Sequence, residues 1–198
     1  MNNESLSVRL ILASSSKYRK ILLSRLGIPF ESLSPEIDES ARENETPLDL
    51  VRRLADEKAM TISSEYPQAI VIGSDQVAVF KNGVLGKPGS HREAQKQLSG
   101  FSGQVVEFLT SVTVRCLADD FNEQYVDTTR VNFRHLQPAE IERYLAVEKP
   151  YDCAGAFKSE SLGSTLFDSI SSDDPTALIG LPLIHTAAML RRAGLLLP

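Results

Sequence analysis

Apolar and polar positions along this chain fall into two kinds of run, and together they predict a mixed succession of strands and helices. Val8 to Leu12 is an apolar run of strand type. The polar stretch Ala13-Ser14-Ser15-Ser16 that follows opens a helix expected from about Ser16 to Leu26, with Ile21, Leu22, Leu23 and Leu26 inward and Gly27 as its stop. Ile28 to Leu33 is strand-like. Thr46-Pro47-Leu48-Asp49 then starts a second helix with proline in its first turn, and Leu48, Val51, Leu54, Ala55, Ala59 and Ile62 continue one apolar face. Lys58 lies late in that helix.

Ala69 to Ile72 followed by Gly73-Ser74-Asp75 predicts a buried strand whose end delivers a carboxylate. Asn82-Gly83 between Val79-Phe80 and Val84-Leu85 is a hairpin signal, so Gly86-Lys87-Pro88 leaves the returning strand. Ser90 and Glu93 begin a short helix that ends near Ser99-Gly100. Val105 to Leu117 and Glu123 to Phe133, joined through Asp119-Asp120, form a hairpin of β-rich runs. Pro138 starts a helix through Ile141, Tyr144 and Leu145. Pro150 to Gly163 is rich in loop formers, and a last helical region runs from Asp174-Pro175 to Gly194 with a break at Gly180-Leu181-Pro182.

Composition narrows this picture. A chain of 198 residues with 42% hydrophobic content suits one well-buried core, so residues 1–198 are expected to form one domain with a polar N-terminal extension at 1–7. A net charge of −5 argues against indiscriminate binding to nucleic acid polymers, which needs a large cationic surface. No apolar run approaches the length of a membrane span, and residues 1–7 do not resemble a signal peptide; the expected location is the cytoplasm. Cys116 and Cys153 are far apart in unlike contexts and read as small, partly buried side chains. His91, His135 and His185 lack ligand-like spacing.

Two places carry candidate chemistry. Serine hydroxyls and free backbone N–H groups at a helix start, backed by Lys17, Arg19 and Lys20, suit a polyphosphate, although serine before an apolar helix is equally an ordinary N-cap. Asp75 needs a cation, a metal or hydrogen bonds if it is buried, and Lys58 and Lys87, nearby in sequence, are candidate partners.

The segments Leu10 to Arg19, Pro35-Glu36-Ile37-Asp38-Glu39, Glu57-Lys58-Ala59, Gly73-Ser74-Asp75-Gln76-Val77 and Gly86-Lys87-Pro88 follow one another as in the Maf family of nucleoside triphosphate pyrophosphatases. Cys153 to Glu160 resembles the YceF-like subgroup acting on 7-methyl-GTP. The resemblance covers roughly residues 8 to 194, with Lys17 where proline is usual, Lys20 where a second arginine is usual and Ser161 where glycine commonly follows the glutamate.

This resemblance implies an elongated α/β fold, a mixed curved sheet flanked by helices with two lobes around a cleft, similar to inosine triphosphate pyrophosphatases. It implies hydrolysis of a nucleoside triphosphate, a small-molecule substrate, to the monophosphate and diphosphate. Asp75 would be the proton acceptor; the catalytic Lys58 and Lys87 and the substrate-binding Ser14 and Arg19 would clamp the phosphates. Glu39 and Asp75 would hold a divalent cation, Mg²⁺ or Mn²⁺; without the resemblance, Glu39 reads as one of several solvated acidic residues in its loop. Tyr18, Gln76 and Glu160 would set specificity, since an aromatic face suits a cationic methylated purine and a carboxylate suits the N1–H and 2-amino donors of guanine. A homodimer is implied by analogy alone. The competing readings are a dTTP/UTP pyrophosphatase and a non-catalytic nucleotide-sensing regulator of cell division.

Overall fold

The computed structural model describes residues 8–81 and 83–197. The polar segment 1–7 and Asn82 of the hairpin turn lie outside the described residues. Among the described residues seven strands form one mixed sheet: β1 (Leu10–Ala13), β2 (Glu31–Leu33), β3 (Ile70–Phe80), β4 (Gly83–Leu85), β5 (Val105–Cys116), β6 (Phe121–Phe133) and β7 (Phe167–Ser171). Their order is β2-β1-β3-β5-β6-β7, with β4 paired to β3. Contacts of β1 with β2 and β3 are parallel; all others are antiparallel.

Among the described residues five α-helices flank the sheet: α1 (Lys17–Ser24), α2 (Pro47–Glu65), α3 (His91–Phe101), α4 (Pro138–Glu148) and α5 (Leu183–Arg192). Side chains alternate faces along a strand, so β1 and β3 are coated on both sides. Leu10, Leu12, Ile70 and Ile72 pack against Leu22 and Leu23 of α1 and Met189 and Leu190 of α5. Ile11, Ala13 and Val71 face Ala59 and Ile62 of α2. Ile21 and Leu48, expected inward, are 58% and 37% exposed, because the buried stripe of each helix is narrower than its run of apolar residues.

β3, β5 and β6 are long enough to cross into a second lobe. There Ala78, Phe108, Val131 and Phe133 pack with Leu98 and Phe101 of α3 and with Ile141 and Leu145 of α4. Among the described residues, no helix is long and apolar enough to cross a membrane.

Helix starts follow from the sequence. The hydroxyls of Ser16, Thr46 and Ser90 accept from the backbone N–H of Arg19, Asp49 and Glu93, respectively. Asp174 works at longer range: it is fully buried, and its Oδ2 accepts from Ile184 N in the first turn of α5 at 2.7 Å.

Candidate functional site

One edge of β3 has a gap. β1 covers Ile70 to Gly73 and β4 covers Ala78 to Phe80, leaving Ser74 to Val77 with no strand on that side among the described residues. A crevice beyond the carboxyl end of a parallel strand is where open α/β sheets bind ligands. Here β1 ends at Ala13 and turns directly into α1, whose N-terminal turn borders the gap. The resulting cleft has a volume of about 670 Å³, and Ser14, Tyr18, Arg19, Glu39, Lys58, Asp75, Gln76, Lys87 and Glu160 all line it.

Asp75 lies in the middle of an eleven-residue strand, not at its end as the sequence suggested. The apolar run stops at Gly73, but the strand continues because β5 pairs with it from Val71 to Val79. Asp75 is 8% exposed, and its Oδ1 accepts from Lys58 Nζ at 2.7 Å. The same ammonium lies 2.6 Å from Glu39 Oε1, so one buried lysine joins two carboxylates. Gly73 makes this possible: a Cβ there would overlap the Ala55 carbonyl and come within 2.7 Å of Ala59 N. Glycine thus lets α2 approach β3 closely enough for Lys58 to meet Asp75.

Burial would raise the Glu39 carboxyl, but the Lys58 hydrogen bond and the charges of Lys58, Lys87 and Arg19 outweigh it and hold the group below its ordinary range. Arg53, unremarked in the sequence, secures the loop that delivers Glu39. Its guanidinium bonds Glu45 at 2.6 and 2.8 Å, Glu57 at 3.0 Å and the Ser40 carbonyl at 2.9 Å.

The other wall is pinned by polar side chains. Arg19 Nε and Ser74 Oγ both donate to the Gly180 carbonyl, at 2.9 and 3.0 Å. Gln76 Nε2 reaches Thr110 Oγ1 and the carbonyls of Ala177 and Leu178. Burial lowers the Arg19 pKa, and the charges of Asp75 and Glu39 work against that shift. Ser14 is buried; its Oγ accepts from Ser16 N at 3.1 Å, which shapes the turn into α1. Lys87 sits exposed on the segment after β4.

The segment after α4 supplies another part of the lining. Tyr18 OH and Cys153 Sγ are 3.7 Å apart, and Cys153 Sγ lies 3.5 Å from Asp152 Oδ1. Burial raises the Tyr18 phenol, and the Cys153 contact and the charges of Asp152 and Glu160 add to the shift. Burial also pushes the Cys153 thiol up to about 11. Glu160 is exposed on a turn that Gly163 keeps tight, since a Cβ at Gly163 would overlap the Lys158 carbonyl. Asp152 was not singled out in the sequence, although it directly precedes the 153–160 motif; Cys153, expected as a partly buried side chain, is half-buried.

A family model described as Maf-like protein matches residues 9–193. A 7-methyl-GTP pyrophosphatase of Albidiferax ferrireducens is 50% identical over 193 residues, covering 98% of this chain and 97% of its own. Another, from Xanthomonas campestris pv. campestris, is 54% identical over 190 residues, covering 96% and 98%. Among solved structures, the Staphylococcus aureus Ham1 protein aligns at a TM-score of 0.42 and 12% identity over 78% of this chain and 89% of that one, too slight a likeness to bear on function.

Proposed function

The chain belongs to the Maf family, and from this premise we propose that it hydrolyses 7-methyl-GTP to 7-methyl-GMP and diphosphate, removing a modified nucleotide from the pool. The observation that carries the reading is one cleft lined both by the charged Asp75, Lys58 and Arg19 and by the aromatic Tyr18 and acidic Glu160.

Water adds across the anhydride between the α- and β-phosphates, and the protein's task is to position and neutralise the phosphate oxygens. The free N–H groups at the start of α1, with Ser14, would receive phosphate oxygens. Arg19 would clamp them, its orientation fixed by Gly180, and Lys87 would reach in from the opposite segment. Asp75 would orient the attacking water and take its proton, while the Lys58 ammonium keeps the carboxylate in place and stabilises its charge.

A divalent cation fits the donor set. Asp75 and Glu39 share one ammonium at 2.7 and 2.6 Å, which brings two carboxylates to one place. Among the described residues no group of three or more His, Cys, Asp or Glu converges, so the remaining ligands would come from phosphate and water, the usual mode for Mg²⁺. When bound, such an ion neutralises charge developing on the phosphates.

Elsewhere in the cleft Tyr18 would stack on the methylated purine and Glu160 would accept from its N1–H and 2-amino groups. Gln76 has its amide nitrogen committed to protein acceptors, so only its carbonyl oxygen would remain for the base. Diphosphate release from a panel of 7-methyl-GTP, GTP, TTP, UTP and CTP, with and without Mg²⁺ or Mn²⁺, tests the proposal. Metal-dependent preference for 7-methyl-GTP is expected; preference for TTP or UTP, or no turnover, would overturn it.

A further inference from the structure

Beside the segment after α4, three side chains already display a cation held between an aromatic ring and a carboxylate. Lys17 Nζ lies 4.9 Å from the centroid of the Tyr18 ring and 3.6 Å from Asp152 Oδ2. All three line the cleft. We propose that Asp152 selects for a positively charged base, and that Lys17 holds the place of that charge until the nucleotide arrives. The inference rests on the proposed function, because N7-methylation gives the guanine ring a delocalised positive charge that unmodified guanine, uracil and thymine lack.

The exchange is physically easy. The Lys17 and Asp152 side chains are 67% and 56% exposed, so their ion pair is weak and solvent-screened. The ammonium can swing back to water on its flexible stem. A flat cationic ring over Tyr18 would then gain both the quadrupole of the ring and the charge of Asp152.

Asp152 is built to remain a carboxylate in that role. Burial would raise its pKa, but the Cys153 thiol and the charges of Lys17 and Lys158 hold it below its ordinary range. Cys153 contacts both Asp152 and Tyr18, coupling the carboxylate to the ring it serves. A neutral base would gain little from Asp152 and could leave the lysine contact in place, whereas a cationic base competes with Lys17 for the carboxylate and gains its charge, so the device discriminates by charge.

The test uses the whole protein and two variants of opposite sign. Asp152→Asn keeps the shape and removes the charge; Lys17→Met removes the competing cation. The readouts are the ratio of kcat/KM for 7-methyl-GTP over GTP and the ratio of Kd for GMP over 7-methyl-GMP. Asp152→Asn should lower both ratios about tenfold, and Lys17→Met should raise them about threefold. Equal losses on both bases with Asp152→Asn, ratios unmoved by either variant, or equal wild-type Kd values would overturn the inference. Wild-type preference for UTP or TTP in turnover would instead overturn the proposed function, with the Kd ratio still judging Asp152.

Discussion

The two parts of the cleft are made of different material. The proposed phosphate-binding part stands on β1, β3, α2 and the turn into α1, where Asp75 and Lys58 are buried and the contacts of Lys58 with Asp75 and Glu39 measure 2.6 to 2.7 Å. The proposed base-binding part sets Tyr18 of α1 against the segment after α4, where Asp152 and Glu160 are exposed and the 3.6 Å Lys17–Asp152 ion pair lies between side chains that are 67% and 56% exposed. Groups that stabilise a transition state must be fixed before the substrate arrives. Groups that choose among substrates can be exposed and can exchange partners. The difference predicts which measurement each substitution will disturb.

The largest effect should come from Asp75→Asn. Loss of the base should lower kcat by roughly 10² to 10⁴ for every nucleotide hydrolysed, with little change in the ranking of substrates. A change in ranking would break the separation of the two parts.

Gly73→Ala comes next. The added methyl must push α2 from β3, costing about 1 to 3 kcal/mol or more and roughly 2 to 4 °C of Tm for each kcal/mol. Thermal denaturation reads the first effect, and kcat should fall with it as Lys58 withdraws from Asp75. Wild-type Tm and activity in the Gly73→Ala variant would show that close packing does not set the Lys58–Asp75 contact.

The smallest effect belongs to the support of the Glu39 loop. Hydrogen bonding from Arg53, aided by Arg42 N, draws the Glu45 carboxyl from 4.5 down to about 2, against an opposing effect of burial. Because the folded value is depressed, the stabilisation is present above the unfolded pKa and is lost as pH falls from about 4.5 through about 2. Urea unfolding across that window should show a gentler acid loss in Glu45→Gln than in the wild type. Parallel curves would remove Glu45 from the account.

Legibility in the sequence divides along the same line. Helix starts were readable because capping is local: Ser16, Thr46 and Ser90 bond within their own first turns. The β5–β6 hairpin was readable from two long β-rich runs around a polar turn. Strand length was less so, since only the β5 ladder shows that β3 continues through Asp75. The residues assigned to the site by resemblance line one cleft, but the sharing of Lys58 by Glu39 and Asp75 depends on packing of α2 against Gly73, a contact across the fold. Arg53 pairs with Glu57 one helical turn on, a pattern legible in the sequence, but its bonds to Glu45 and the Ser40 carbonyl and the pairing of Asp152 with Lys17 join residues distant along the chain.

The central claim is that selection and chemistry are separable, and the Tyr18→Arg, Glu160→Gln double variant tests it most directly. Its kcat/KM for 7-methyl-GTP and UTP would be measured beside the wild type, with the Asp75→Asn form of each as a check on shared chemistry. The account predicts that the preference for 7-methyl-GTP falls at least about tenfold while hydrolysis remains dependent on Asp75. An unchanged preference would contradict it.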